Sequence, residues 1–155
     1  MENKGFRVTR IDAGLLVLRF GAGLFLVATF GWRKFLGYAV LVHSGQPMAN
    51  VGLAPLIKTM GFPFPVFLGF YATFCESIGA LLVACGFLTR LASFMAALSM
   101  TGAFYVSMRL HEEPLRAVLY LVMFTALVWT GPGKFSIDYL LQSAAKRKLE
   151  SGPLK

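Results

Sequence analysis

Long apolar runs separated by short polar breaks divide the chain. The first run, about 13–35, is interrupted only by Arg19, and its glycines at 14, 21, 23 and 31 are tolerated in membrane helices and allow close packing. The second, about 65–87, carries a single charge, Glu76. A tight turn from Gly86 to Arg90 leads to the third, about 91–108. There Ser93, Ala97, Thr101 and Tyr105 recur every fourth residue, a small and polar stripe expected to face other helices. The fourth, about 114–131, starts at Pro114, a residue favoured in a first turn, and stops at Gly131-Pro132-Gly133. Each run approaches the roughly 20 residues needed to cross a bilayer. The pattern predicts an all-α membrane protein, a four-transmembrane-helix bundle forming one domain over residues 1–155.

Two further segments complete it. From His43 to Pro65 the chain holds Pro47, Pro55, Pro63 and Pro65, too broken to span. Val51, Leu56, Ile57 and Met60 recur at intervals that fit a short amphipathic helix between Pro47 and Gly61, an outer interfacial segment expected to cap the bundle as a lid. After the glycine-proline breaker, Ser136 can cap a C-terminal helix with Asp138 in its first turn. Its Tyr139, Leu140 and Leu141, followed by Lys146, Arg147 and Lys148, read as an amphipathic helix lying on a surface with a basic end.

Composition agrees. Hydrophobic residues make up 57% and charged ones only 14%, against about 25% charged in a soluble domain. With four spans the chain has no room for a separate soluble catalytic domain. Lys and Arg outnumber Asp and Glu by 15 to 7, but they sit at segment ends, so the lipid bilayer and not nucleic acid is the expected partner. The first apolar run is too long for a signal-peptide core and is expected to be a retained helix. Lys4, Arg7, Arg10, Arg90, Lys134, Lys146, Arg147, Lys148 and Lys155 fall on the side of the termini, against Arg33, Lys34, Lys58, Arg109 and Arg116 opposite. That bias predicts both termini to be cytoplasmic. Cys75 and Cys85 lie on one helix about 15 Å apart, too far for a disulfide, and are expected to be small core residues.

An ionisable group within a span costs a few kcal/mol, so Arg19 and Glu76 need an explanation. Counted at 1.5 Å per residue they lie about 10 Å and 15 Å from the cytoplasmic face, close enough to predict a pair. Gly69, Thr73 and Ala80 share the face of Glu76, which points it into the bundle. Three roles stand open: a pair that fixes register, a protonatable carboxyl beside a quinone or in a proton path, or a bridge to another subunit. Tyr71, Tyr105 and Tyr120 are expected in an outer aromatic belt, with Tyr120 also a quinone-site candidate. His43, His111 and Arg116 are outer-side candidates for loop hydrogen bonding or contact with a quinone head. Two histidines without cysteine or carboxylate at ligand spacing do not make a metal site, and no metal is expected. The chain has no phosphate loop and no nucleophile elbow, so no cofactor of its own is expected.

Four stretches are recognisable together: Leu18-Arg19-Phe20 to Gly31-Trp32-Arg33-Lys34-Phe35, Met60-Gly61-Phe62-Pro63-Phe64-Pro65, Glu76-Ser77-Ile78-Gly79 through Gly86-Phe87-Leu88-Thr89-Arg90, and Gly131-Pro132-Gly133-Lys134-Phe135-Ser136-Ile137-Asp138. Across about 15–141 the chain resembles the DoxX family of small four-helix bacterial membrane proteins. The resemblance implies a subunit of a quinone-linked oxidoreductase in the bacterial inner membrane, similar to thiosulfate:quinone oxidoreductase. It further implies other membrane or peripheral subunits as partners, and with the buried Glu76 it points to a quinone or lipid site near that residue. The alternative is a non-catalytic structural or assembly subunit of a larger membrane complex.

Overall fold

The computed structural model describes residues 10–45, 47 and 52–150, and every regular element among them is helical. The first helix, α1, is one rod composed of α-helical Arg10–Leu26, a π-helical turn Val27–Gly31 and α-helical Trp32–His43. It runs past the expected end near Phe35 because Leu36, Tyr38, Ala39 and Val40 keep it apolar, with no proline to stop it. A short helix α2, Ala54–Thr59, carries a proline in its first turn. Next come α3, Pro65–Cys85, with a π-helical turn at Cys75–Gly79; α4, Thr89–Leu110; α5, Leu115–Thr130; and α6, Ile137–Glu150.

Among the described residues three helices are long and apolar enough to cross a membrane: Arg10–Val40, Pro65–Cys85 and Thr89–Leu110. The fourth, α5, is apolar but has 16 residues, about 24 Å of helix against a hydrocarbon core of about 30 Å. It pairs antiparallel with α4, the most extensive contact in the bundle. The core contains Leu26, Ala80, Val83, Ala96, Met100, Phe124 and Leu127. Large apolar side chains such as Phe20, Trp32, Phe94, Leu119 and Trp129 cover the outside, which in water would be a liability and in lipid is the solvated surface.

Two glycines set how closely α1 and α3 approach. A Cβ at Gly23 would fall 2.9 Å from Ala84 Cβ, and one at Gly31 would fall 2.9 Å from Ser77 Cα. The two π-turns therefore face each other across a backbone contact. On α4 the packed face is Ala92, Ser93, Ala96, Ser99 and Met100, not the full expected stripe. Thr101 and Tyr105 turn outward, since each is satisfied locally: Thr101 donates to the Ala97 carbonyl at 3.1 Å, and Arg109 Nε donates to the Tyr105 hydroxyl at 2.9 Å. Cys75 is buried but Cys85 is exposed, so only the first is a core residue.

At the end of the bundle near α6, a clasp joins distant parts of the chain. The Asp138 carboxylate accepts from Leu88 N at 2.8 Å and from Thr89 N and Oγ1 at 2.9 and 3.0 Å, capping the start of α4 from the start of α6. This holds Leu88 in the left-handed region at φ 49°, which a bulky residue resists. Asp138 N donates to the Gly86 carbonyl at 3.0 Å. Asp12 accepts from Lys134 N at 3.2 Å and also pairs with its ammonium.

At the opposite end, α2 packs on the start of α3 with Ala54 and Ile57 buried, and Phe62 meets Tyr105 edge-on at 5.3 Å. The proline-rich segment thus holds the expected short helix, seated on Gly69 of α3 beside Tyr38 of α1, and only Phe62 beyond it reaches α4; Val51 lies outside the described residues.

Candidate functional site

Beyond the π-turn, α1 packs chiefly on α3 and leaves α4 and α5, opening a cavity of about 510 Å³ between them. Its inner wall is apolar, with Leu26, Phe30, Met100, Ala103, Ala117 and Tyr120. Lys34 and Glu76 line it from α1 and α3, and its mouth is the α4–α5 turn with His111, Glu112, Glu113 and Arg116. That turn is shaped by His111 at φ 55°, with Glu112 N donating back to the Ser107 carbonyl at 3.0 Å. An apolar interior with a few convergent polar groups is the form of a small-molecule site, and the volume falls within the usual range of about 300–1,000 Å³.

Lys34 and Glu76 form an ion pair within this cavity. Each stands on or just after a π-turn: Glu76 within Cys75–Gly79, and Lys34 three residues beyond Gly31. A π-turn inserts one residue into the helical repeat and re-aims the side chains around it, and such turns gather at functional sites. The ammonium also lies 5.9 Å from the centroid of the Phe30 ring, a cation–π contact.

This pairing replaces the expected one between Arg19 and Glu76. Arg19 is opposite Gly86, where a Cβ would fall 2.9 Å from its Cζ. Ten residues, from 76 within α3 to Gly86 just past its end, separate it from Glu76, about 15 Å along the axis. Depth counted from assumed helix ends missed this, because α1 begins earlier and runs further than the apolar run suggests. Arg19 is 1% exposed; its Nη1 donates to the Pro132 carbonyl and the Asp138 carboxylate supplies an opposite charge nearby, so it belongs to the clasp.

Tyr120 departs from the aromatic belt. It is 8% exposed, stacks on Phe124 with ring centroids 6.1 Å apart, and lines the cavity. Among the described residues its hydroxyl meets no partner at hydrogen-bond geometry; the neighbouring Thr29 hydroxyl donates to the Phe25 carbonyl at 2.6 Å and keeps its lone pairs as the acceptor that a small rotation would bring to Tyr120. Tyr71 instead donates to the Met95 carbonyl at 2.9 Å, and Tyr105 stays exposed beside Arg109.

The cavity therefore gathers Glu76, Tyr120, His111 and Arg116, while Arg19 and His43 lie outside it, His43 exposed at the end of α1. The described residues of the proline-rich segment do not line it either: they pack on Gly69 of α3 and Tyr38 of α1, away from this mouth. Lys34 is the residue that sequence reasoning assigned to the outer side. The signal was the apolar stretch after it, which continues the helix and places the lysine inside the span. Among the described residues no three His, Cys, Asp or Glu groups are gathered to hold a metal ion.

No curated protein and no solved structure matches the chain significantly. The DoxX family model matches residues 14–109, from the start of α1 to the end of α4; the Gly131–Asp138 motif lies beyond the matched stretch. With more than half of the chain matched and three helices able to span a bilayer, the protein belongs to the DoxX family of multi-pass membrane proteins.

Proposed function

We propose that the protein is a membrane subunit of a quinone-linked oxidoreductase, and that the cavity between α1, α4 and α5 receives the quinone. The observation that carries this reading is the combination in one apolar cavity of a buried Tyr120 hydroxyl, not hydrogen-bonded among the described residues, with the Lys34–Glu76 pair. A buried hydroxyl without a partner forgoes a hydrogen bond, a cost of about 1–3 kcal/mol that a bound carbonyl oxygen removes. Tyr120 and Lys34 would donate to such an oxygen, while Leu26, Phe30 and Met100 would hold the ring. A bound quinone supplies two-electron, two-proton chemistry. Glu76, hydrogen-bonded to Lys34, would hold a proton at its carboxyl oxygens, with the acidic and basic side chains at the mouth linking it to water.

In this reading α5 is the fourth span, the membrane is the bacterial inner membrane, and the charge bias places both termini in the cytoplasm. The partners are other subunits that carry the electron donor, since the sequence holds no cofactor motif. Affinity purification from native membranes tests the proposal. Redox partners with quinone-dependent turnover that falls at least tenfold in Glu76→Gln support it. A stoichiometric partner whose turnover is unaffected by Glu76 and Lys34 substitution assigns the chain a structural or assembly role instead.

A further inference from the structure

The two ends of the bundle are unlike. The 22 residues of α4 span about 33 Å, with the clasp at Thr89 and the cavity mouth just past Leu110. Along α4 the cavity reaches from His111 inward to Met100, about 16 Å, and ends near the middle of the bundle. Titratable groups line this half from Glu76 outward. Glu76 faces Lys34 from α1 and Tyr120 from α5, and the mouth adds His111, Glu112, Glu113 and Arg116. A cavity with such partners holds water, whereas one lined by Leu and Phe alone stays dry.

The other half is closed. Ala80, Val83, Ala96, Phe124 and Leu127 fill it, each 0% exposed, and at Gly23 the backbones of α1 and α3 meet. Towards the clasp the next charge among the described residues is Arg19, opposite Gly86, about 15 Å from Glu76. Between them, α4 buries the hydroxyls of Ser93 and Ser99, neither hydrogen-bonded among the described residues. They stand six residues apart, about 9 Å along the axis, against a hydrogen-bond reach of about 3 Å. They cannot pass a proton between them.

We propose that the cavity is a proton half-channel. Water entering at the α4–α5 turn brings Glu76 into proton exchange with that side of the membrane, and the plug of Ala80, Val83 and Leu127 withholds it from the clasp side. Under the charge bias, the mouth side is the outer side. The consequence for quinone chemistry rests on the reading above: when a partner's donor supplies two electrons, the two protons that complete a quinol enter through the mouth, and on reoxidation both leave by it.

The test needs no quinone. The full chain, in a Cys75→Ala/Cys85→Ser background, is placed in sealed membrane vesicles of either orientation with a single cysteine at Ala103→Cys or Ala117→Cys, two positions that line the cavity. Glu113→Cys at the mouth and Gln142→Cys on α6 mark the two sides. A membrane-impermeant cationic methanethiosulfonate is expected to modify positions 103 and 117 from the side that modifies 113, and not from the side that modifies 142. Only the thiolate reacts, and an unperturbed thiol has a pKa of about 8.5. Raising the pH of the mouth side by one unit below that value should therefore speed the reaction about tenfold, while the same change on the other side leaves the rate unaltered. Modification from the side of 142, a rate that follows the pH of both sides, or no modification of either position from either side overturns the proposal. One-sided labelling in a chain that binds no quinone leaves the half-channel standing and removes only the quinone reading. Quinone bound in a cavity that is dry or open to both sides does the reverse.

Discussion

Replacing Lys34 by Met and Glu76 by Gln should have unequal costs, because the two ends of the pair are unequally buried. The Glu76 side chain is 6% exposed and that of Lys34 is 29% exposed. Without Lys34 the carboxylate is stranded with no second cation in the pair. Without the Glu76 charge, the lysine stem can swing its ammonium towards the cavity mouth. Breaking a buried pair costs about 3–5 kcal/mol; with the cavity open at one end, Lys34→Met should cost about 2–4 kcal/mol and Glu76→Gln about 1 kcal/mol. Glu76→Leu should cost more than Glu76→Gln, which keeps an acceptor for the ammonium. The double variant Lys34→Met/Glu76→Leu leaves no uncompensated charge and should be less damaging than the two single changes summed, with a coupling of about 1–3 kcal/mol. Reversible unfolding in mixed micelles, followed by Trp32 and Trp129 fluorescence, supplies the four free energies. Additivity within about 0.5 kcal/mol, or a greater cost for Glu76→Gln than for Lys34→Met, refutes the reasoning.

Three further outcomes follow from the packing. Gly31→Ala drives a methyl into the α3 backbone at Ser77 and should destabilise by about 1–3 kcal/mol or more, whereas Gly14→Ala, with nothing within 4 Å, should be neutral or slightly stabilising through helix propensity; melting temperatures of the two variants compare them directly. Asp138→Ala removes the cap on α4 and should cost about 1–2 kcal/mol, with hydrogen exchange accelerated at Leu88 and Thr89 before the rest of α4. Tyr120→Phe deletes a buried hydroxyl that makes no hydrogen bond among the described residues and should leave stability unchanged within about 0.5 kcal/mol, yet weaken the proposed quinone binding about fivefold or more through the lost donor, as read by titration in nanodiscs.

The helices were legible in the sequence because apolar run length and the glycine and proline breaks carry most of that information. Glu76 was expected inside the bundle, since Gly69, Thr73 and Ala80 mark its face, and all four are buried. Its partner was not legible. Choosing between Arg19 and Lys34 requires the register of α1 against α3, which is fixed by the backbone contacts at Gly23 and Gly31 and by two π-turns. Neither turn has a proline or other sequence mark. The cavity was hidden for a related reason: it exists because α1 leaves α4 and α5 beyond Gly31, and divergence of two helices leaves no trace in their periodicity. Asp138 was expected to favour the start of its own helix; that it caps α4 instead depends on the turn through Gly131, Pro132 and Gly133.

Photolabelling with an azido-quinone in native-lipid nanodiscs tests the central claim most directly. If the cavity between α1, α4 and α5 receives a quinone, mass spectrometry will place the label on α4 and α5 peptides holding Met100, Ala103, Ala117 and Tyr120. Unlabelled quinone will compete, and Lys34→Met or Tyr120→Phe will reduce the yield. Label distributed over the lipid-facing residues Phe94, Leu119 and Trp129, undiminished by competitor and indifferent to both substitutions, would contradict the account.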